Sequence, residues 1–546
     1  MFKSKNKEYY PGEKPLLEKI MNDPQPVPRK VPDYMRKKGG AWYWTGAMIM
    51  IVFIYEVITG LILLLYYQPS NAYVSTETFL NSTPYGSIII STHLYAAYAM
   101  IVLIYLHLLR NLFVGAYKRP RESQWITGVL LLVLTIAVGF FGYSMSGDVL
   151  SADATDVGRG IAQATPVIGT YLMLIFFGSG TSISLFTRML GWHIVLAAGV
   201  GILFAVHFFI AEYNTIMPSH KDANYKAPAI DKDDGTYKPW YPYNLMYMMQ
   251  YLFLVFGFLV LIPSVLAILP NVPDLFSPFP SVSPSSPLAV NVPAYPPWFL
   301  LFVYKALDFK MLLGIGPFWG TVIFAGAPLI YLLIVPYVHT NRSLLMRDNP
   351  IPVSFGILGL VYYVGLSAWG ALAPGVPISD GPVLLFFVLP FVFIVGLSLF
   401  VAKLVRENKI TMPNIGRLFF TLTILAFAAF GSGMLIIASV SHPVALYLIP
   451  MILLLMVTAI SLAVAYAMIK GVHLRDESIE EKHMSKNGYT FAASGFIMAS
   501  IIVLFEITII PPTSPSNNAL YGIGLGLILL IIGAFIRIYR ASVYGE

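Results

Sequence analysis

Long apolar runs, separated by short polar segments, repeat along the whole chain. The first spans Ala41 to Tyr66, the second about Gly86 to Phe113, and a later one about Thr187 to Ala211. A helix rises about 1.5 Å per residue and the apolar core of a bilayer is about 30 Å thick, so roughly 20 apolar residues cross it. About twelve runs meet that length. In lipid every backbone N–H and C=O must be satisfied within the protein, and a helix does this alone. The predicted fold class is all-α, a polytopic membrane protein of about 12 spans.

Charge orders these spans. Residues 1–40 carry ten Lys or Arg against five Asp or Glu, and Pro11, Pro15, Pro24, Pro26, Pro28 and Pro32 interrupt them. Residues 67–85 carry no Lys or Arg, whereas 110–122 carry Arg110, Lys118, Arg119 and Arg121. Residues 144–186 hold Asp148, Asp153 and Asp156 against Arg159, and 212–243 hold Lys221, Lys226, Lys232 and Lys238. The proline-rich stretch 270–297 again has no Lys or Arg, and the alternation continues to the tail with Arg537 and Arg540. By the positive-inside rule, residues 1–40 form a cytoplasmic arm, both termini are cytoplasmic and the spans are even in number.

Composition removes other classes. The chain is 57% hydrophobic and 11% charged, against about 25% charged in soluble domains. The net charge of +7 sits mainly in the inner loops, so membrane lipid is the expected partner and nucleic acid is not. There is no cysteine, which excludes disulfides, thiolate metal sites and covalent c-type haem attachment.

Four histidines stand inside apolar runs. His93 and His107 are 14 residues apart, and so are His193 and His207. Fourteen residues make just under four helical turns, so each pair shares a face and is separated by roughly 21 Å along the axis. A lone intramembrane histidine is usually an interhelical hydrogen-bonding residue. Two matched pairs instead suit bis-histidine ligation of two haem irons at two depths. The topology makes the second and fourth spans enter from outside, which pairs His93 with His193 near the outer face and His107 with His207 near the inner one. Gly46 and Gly60 are also 14 apart, as are Gly128 and Gly142. Glycine permits close approach to a helix backbone, so Gly60 and Gly142 are expected at the outer haem and Gly46 and Gly128 at the inner one. Tight helix packing through small residues is the plainer explanation of the glycines, but the match to the histidine period favours clearance for the macrocycle edges.

With these positions in place, the sequence resembles cytochrome b, the haem-carrying subunit of quinol-oxidising bc complexes. Tyr117-Lys-Arg-Pro-Arg-Glu122 is similar to the family's loop before the third span, and Pro166-Val-Ile-Gly169 to its turn between two surface helices. Arg188 and Arg110 resemble the arginines that pair with haem propionates at the outer and inner levels. Pro296-Pro-Trp-Phe299 stands where the family has its Pro-Glu-Trp-Tyr quinol motif, with Tyr304 after it, and His339-Thr-Asn-Arg342 and Trp369-Gly370 resemble later helices. The resemblance covers about residues 35–405. Three positions depart from it. Pro297 replaces the motif glutamate, Ile90 stands where an arginine precedes the first ligand, and Glu212 stands where the family has a histidine at its inner quinone site.

The resemblance implies a dihaem four-helix bundle of cytochrome b type plus additional transmembrane helices. The expected division is an arm over 1–40, a dihaem domain over 41–240, a second cytochrome b domain with the quinol loop over 241–405, and an extra four-span extension over 406–546. The expected function is transmembrane electron transfer coupled to quinol oxidation at the outer face. The chain would then be one subunit of a quinol:cytochrome c reductase or quinol oxidase, not the whole enzyme. Cofactors are two haems, b-type or a-type, with quinone or quinol as ligand. Partners are a Rieske-type iron–sulfur protein, required because this chain has no cysteine, and other respiratory or terminal-oxidase subunits. A dimer is left open. The location is a prokaryotic plasma membrane, archaeal on the extra spans and altered motif.

Since Pro297 cannot accept a proton, another group must. Glu56, an intramembrane carboxylate one turn before Gly60, is the first choice; Asp148 and Asp153 are alternatives at the outer surface. Tyr143, Pro296, Trp298, Phe299 and Tyr304 complete the candidate quinol site. An ion-coupled transporter without haem is the competing class. It expects internal repeats and broken helices, and leaves the paired histidines unexplained.

Overall fold

The computed structural model describes residues 30–36, 40–214, 216–217, 226–228, 237–270, 272–407 and 486–544. The rest of the 1–40 arm, Lys221, Lys232 and the apolar runs between 408 and 485 lie outside the described residues. In chain order the helices are α1 (Thr45–Leu64), α2 (Ala72–Ser82), α3 (Gly86–Phe113), α4 (Glu122–Ser144), α5 (Val149–Gln163), α6 (Gly169–Phe177), α7 (Ser182–Tyr213), α8 (Leu245–Ile268), α9 (Leu301–Leu307), α10 (Gly316–Val338), α11 (Pro350–Leu372), α12 (Asp380–Arg406), α13 (Lys486–Thr508) and α14 (Pro515–Tyr544). All but α2, α5, α6 and α9 belong to helices long and apolar enough to cross a membrane, which makes ten such spans among the described residues. This is a helical, multi-pass membrane protein. Among the described residues the strand pairing is slight: Lys30–Val31 pairs antiparallel with Lys238–Pro239, which ties the arm to the segment before α8, and isolated bridges join Lys226 to Ser343 and Phe309 to Ile378.

Local chemistry sets the ends of the helices. Asp148 caps α5, its carboxylate accepting from the Ser151 N–H, and Thr181 caps α7 through the Ser184 N–H; each satisfies a donor the helix leaves open. The Pro166-Val-Ile-Gly169 stretch is the turn between α5 and α6, with Val167 at φ 70°. Gly178 ends α6 at φ 85°, a left-handed backbone that suits glycine.

Two close helix pairs form the first half. The α1 helix packs on α3, and α4 packs on α7, with α6 laid against α7. The histidine-bearing helices α3 and α7 are not among the extensively packed pairs. A seam therefore runs between the two pairs. The second half wraps this bundle. Leu112, Tyr117, Trp125 and Val129 pack with Leu332 and Val335, joining α3 and α4 to α10, and the Trp125 indole donates to Leu332 O at 2.6 Å. Ala306, Phe309, Leu366, Trp369, Val383 and Phe386 bind α9, α11 and α12 together.

On the charged-loop side, Lys118 is buried and its ammonium donates to Asn341 O, Asn341 Oδ1, Ser343 O and Asn349 Oδ1 at 2.5–3.0 Å. Burial lowers the Lys118 pKa to about 8. The four acceptors make this cation a clamp between the α3–α4 loop and the α10–α11 loop.

The final helix is built into the body. α14 lies along α8 and also touches α3 and α13. Glycines bring the backbones together. A Cβ on Gly526 would stand 2.9 Å from Leu261 Cβ and 3.0 Å from Gly257 O. Arg540, with no exposed surface, donates to Gln250 Oε1 at 2.9 Å and stacks its guanidinium 4.5 Å from the centre of the Tyr247 ring.

Gly526→Ala is expected to destabilise the protein by about 1–3 kcal/mol, because backbone and Cβ atoms must separate to admit the methyl. Gly359→Ala on α11, where a Cβ meets nothing within 4 Å, is expected to be neutral or slightly stabilising. Thermal unfolding of the two variants in detergent checks the contrast.

Candidate functional site

The four histidines face the seam at two levels. The rings of His93 and His193 have centroids 6.4 Å apart and planes at 71°. His107 lies within electrostatic reach of His207. The structure thus brings together the same partners that the loop charges select.

Each imidazole is held through Nδ1. Thr59 Oγ1 lies 2.8 Å from His93 Nδ1, Thr45 Oγ1 2.8 Å from His107 Nδ1, and Thr127 Oγ1 2.9 Å from His207 Nδ1. His193 Nδ1 instead meets the Val138 carbonyl at 3.0 Å. The threonine hydroxyls have other acceptors for their own protons: Thr59 donates to Tyr55 O at 2.8 Å, Thr127 to Ser123 O at 3.0 Å and Thr45 to Trp42 O at 3.4 Å. A lone pair is left for the ring, so the hydrogen sits on Nδ1. That tautomer presents Nε2 as the ligand atom, the arrangement outer partners impose on metal-binding histidines. His107 Nε2 accepts from the Asn111 amide at 2.9 Å, so ligation there requires Asn111 to turn aside.

The glycines pair with the histidines one to one. A Cβ on Gly46 would stand 3.4 Å from His107 Cε1, on Gly60 3.4 Å from His93 Cε1, on Gly128 3.1 Å from His207 Cε1, and on Gly142 2.7 Å from His193 Cε1. What glycine clears at close range is therefore the neighbouring imidazole, where the sequence pattern points to a macrocycle edge. Among the described residues no three His, Asp or Glu side chains gather to hold a bare metal ion. The histidines are available as pairs. The donor set and the tautomers fit haem.

Two features escaped the sequence reading. Thr45, Thr59 and Thr127 each stand directly before a glycine of the period, and that repeated Thr-Gly pair was the available signal. Glu56 was placed by depth alone; the structure puts its Oε2 2.8 Å from His93 Nδ1. The candidate arginines are held by protein groups. Arg110 donates to Asn111 Oδ1 at 2.7 Å and stacks 4.8 Å from the Tyr43 ring centre. Arg188 donates to Leu174 O at 3.0 Å and to Ser184 Oγ at 2.6 Å, fixing the α6–α7 corner.

A second cluster gathers the candidate quinol residues. Tyr143, at the end of α4, lies within electrostatic reach of Asp148, Tyr98, Tyr304 and Asp153. Pro296 and Pro297 are buried, and Trp298–Leu300 turns directly into α9. The Trp298 ring meets Tyr98 edge-on at 5.8 Å. Phe299, 1% exposed, packs on Gly139, where a Cβ would stand 3.2 Å from Phe299 Cζ. The Tyr304 hydroxyl donates to Ala154 O at 2.7 Å, docking α9 on α5.

The carboxylates divide in role. Asp148 is buried and both its oxygens are committed: Oδ1 accepts from Ser146 Oγ and Ser151 N at 2.9 Å, and Oδ2 from Ser281 N at 2.7 Å. It fastens α5 to the proline-rich loop. Burial and the charges of Asp156 and Asp148 push the Asp153 carboxyl above the usual range. Glu56 sits with His93, apart from the contacts that define this cluster.

The family pattern described as "Cytochrome b(N-terminal)/b6/petB" matches residues 98–281. The "Cytochrome b" of Sulfolobus acidocaldarius is 33% identical over 97% of this chain and 97% of its own length. The chain belongs to the cytochrome b family. It is a cytochrome b subunit of the bc type, and the family implies haem as cofactor. The "Menaquinol:cytochrome c reductase cytochrome b subunit" of Bacillus subtilis is 36% identical over 31% of this chain and 77% of its own. The "Cytochrome bc complex cytochrome b subunit" of Chlorobaculum thiosulfatiphilum is 27% identical over 59% of this chain and 71% of its own. The Sulfolobus cytochrome b alignment extends over the C-terminal spans as well.

Gly142→Ala is expected to displace His193 and to lower haem content at that level, since the new methyl would meet Cε1 at 2.7 Å. Gly199→Ala on the same helix as His193 has nothing within 4 Å and is expected to keep the full content. Haem per chain, measured by pigment extraction, checks both.

Proposed function

We propose that this cytochrome b carries electrons across the membrane between two bis-histidine sites, His93 with His193 and His107 with His207, fed by quinol oxidation beside the first. The observation that carries the reading is the fourfold repetition of one local unit: a histidine with Nδ1 held and a glycine against its Cε1. Haem bound at these sites supplies one-electron redox chemistry. The chain supplies the rest. Thr45, Thr59, Thr127 and the Val138 carbonyl orient the rings. Gly46, Gly60, Gly128 and Gly142 let the helices close on them. Arg110 and Arg188 lie within about a turn of a ligand, where their charge suits propionates.

At the outer face, Tyr143, Tyr304 and Tyr98 offer hydroxyls, and Trp298 and Phe299 offer apolar ring faces, to a quinone head. Pro296 and Pro297 stiffen the approach to α9. A cavity of 580 Å³ is lined by Tyr95, Leu266, Leu269, Pro270 and Phe276, and the Tyr95 ring lies 5.4 Å from that of Tyr98. Its size and apolar walls suit a hydrophobic ligand. Quinol oxidation releases two protons, and the carboxyl raised above its usual range, Asp153, is the candidate acceptor in the cluster, with Asp148 holding the loop that shapes it. Glu56 remains a candidate at the haem level. The second electron leaves to a Rieske-type iron–sulfur partner within a respiratory assembly. The arm 1–40 lies on the cytoplasmic side, and 41–240, 241–405 and 406–546 act as haem bundle, quinol half and extension. No contact in the described residues favours a haem-free transporter.

His93→Ala and His193→Ala are each expected to remove the same haem signal and to leave the second. A reduced-minus-oxidised spectrum, with quinol as reductant, checks this. Loss of one signal by His93→Ala and His107→Ala alike would sink the pairing.

A further inference from the structure

His93 differs from the other three histidines. His107 and His207 present Nδ1 to a threonine hydroxyl, and His193 presents it to a backbone carbonyl. His93 Nδ1 meets both Thr59 Oγ1 and the Glu56 carboxylate, each at 2.8 Å. Glu56 and Thr59 are three residues apart on α1, so one face of that helix delivers two acceptors to one N–H. The Glu56 side chain is 11% exposed, and its Oε1 is buried with no hydrogen-bond partner. Burying a carboxylate in an apolar span, with one oxygen unmatched, opposes folding. Packing alone would be served better by the apolar residues around it.

We propose that Glu56 is a positioning residue for His93. It fixes the Nδ1–H tautomer and lends the imidazole negative character, and so lowers the midpoint potential at the His93–His193 level. The inference rests on the haem reading above. A carboxylate that accepts from the outer N–H of a ligating imidazole raises the basicity of the ligand atom. A negative charge so close also favours the more positive, oxidised metal, and the low dielectric of the seam amplifies that preference. The His107–His207 level has neutral partners at both Nδ1 atoms and lacks this bias.

The test uses the full-length complex in detergent at one fixed pH, with haem counted by extraction and potentials read by optical redox titration. His193→Ala identifies which signal belongs to the His93 level. Glu56→Gln keeps the shape and removes the charge. It is expected to retain both haems and to raise the potential at the His93 level by about tenfold in the one-electron equilibrium, about 59 mV, with the other level unmoved. Glu56→Asp, which restores the charge on a shorter arm, should stay nearer the wild-type value than Thr59→Val does. Thr59→Val, which removes the neutral acceptor from the same nitrogen, should move the potential less than Glu56→Gln does. Two haems with unchanged potentials in Glu56→Gln would overturn the role of Glu56. Equal shifts in Glu56→Gln and Thr59→Val would overturn it too, since charge would then not be the cause. Should Glu56→Gln lose the haem, Glu56→Asp decides: a potential near that of the wild type supports the role, and one displaced as far as in Thr59→Val refutes it. A wild-type extract with no haem would instead overturn the haem reading itself.

Discussion

An imidazole in an apolar span has no water to satisfy it, so its outer nitrogen must be met by the protein. The rest of the bundle follows from that constraint. A threonine one helix away can meet Nδ1 only if the two backbones approach within a side chain's reach. The next residue must then be small, or its Cβ would strike the ring. The Thr-Gly pairs at 45–46, 59–60 and 127–128 satisfy both conditions at once. Because ligands and pairs recur every 14 residues, both depths are solved by the same helix contacts, α1 on α3 and α4 on α7. Those contacts use the faces that bear the hydrogen-bonding groups. They leave α3 and α7 apart where the Nε2 atoms need room.

This explains what could be read from the chain in advance. Period, span length and loop charge are one-dimensional signals, and they carry the ten described spans, the two levels and the partner of each histidine. The partners of Nδ1 are not of that kind. They join residues 34, 62 and 80 positions apart, and depend on the rotation of one span about its axis against another. Hydropathy is nearly blind to that rotation in lipid, where both faces of a helix are apolar. The Thr-Gly repetition was visible but had no meaning until the helices were paired. Asp148 shows the reverse case: its charge at the outer surface points to chemistry, and what the sequence does not show is that its contacts to Ser146, Ser151 and Ser281 also make it a fastener.

The same blindness applied to the last helix. Gly522, Gly524, Gly526 and Gly533 carry no sign in the sequence of the helix they would meet. The target is α8, and Arg540 secures the contact through Gln250 and Tyr247. Since α8 in turn packs on α3, the C-terminal helix braces the span that carries His93 and His107. A chain division drawn from family resemblance follows the origin of the segments. The packing follows the glycines, and crosses that division.

The two histidine levels are not equivalent in their supports. The His107–His207 level has a Thr-Gly pair against each histidine. The His93–His193 level departs from this on both sides: His193 faces a carbonyl, with Phe141 before Gly142, and His93 faces Glu56 as well as Thr59. A carbonyl is fixed by its helix and cannot rotate as a hydroxyl does, so His193 is the more rigidly aimed ring. Gly142 is accordingly the tightest of the four gaps. Across the seam, His93 is held by side chains that can differ in charge without moving the backbone. The His93–His193 level is thus aimed by the backbone on one side and by side chains, one of them a carboxylate, on the other. The His107–His207 level has a neutral hydroxyl on each ring.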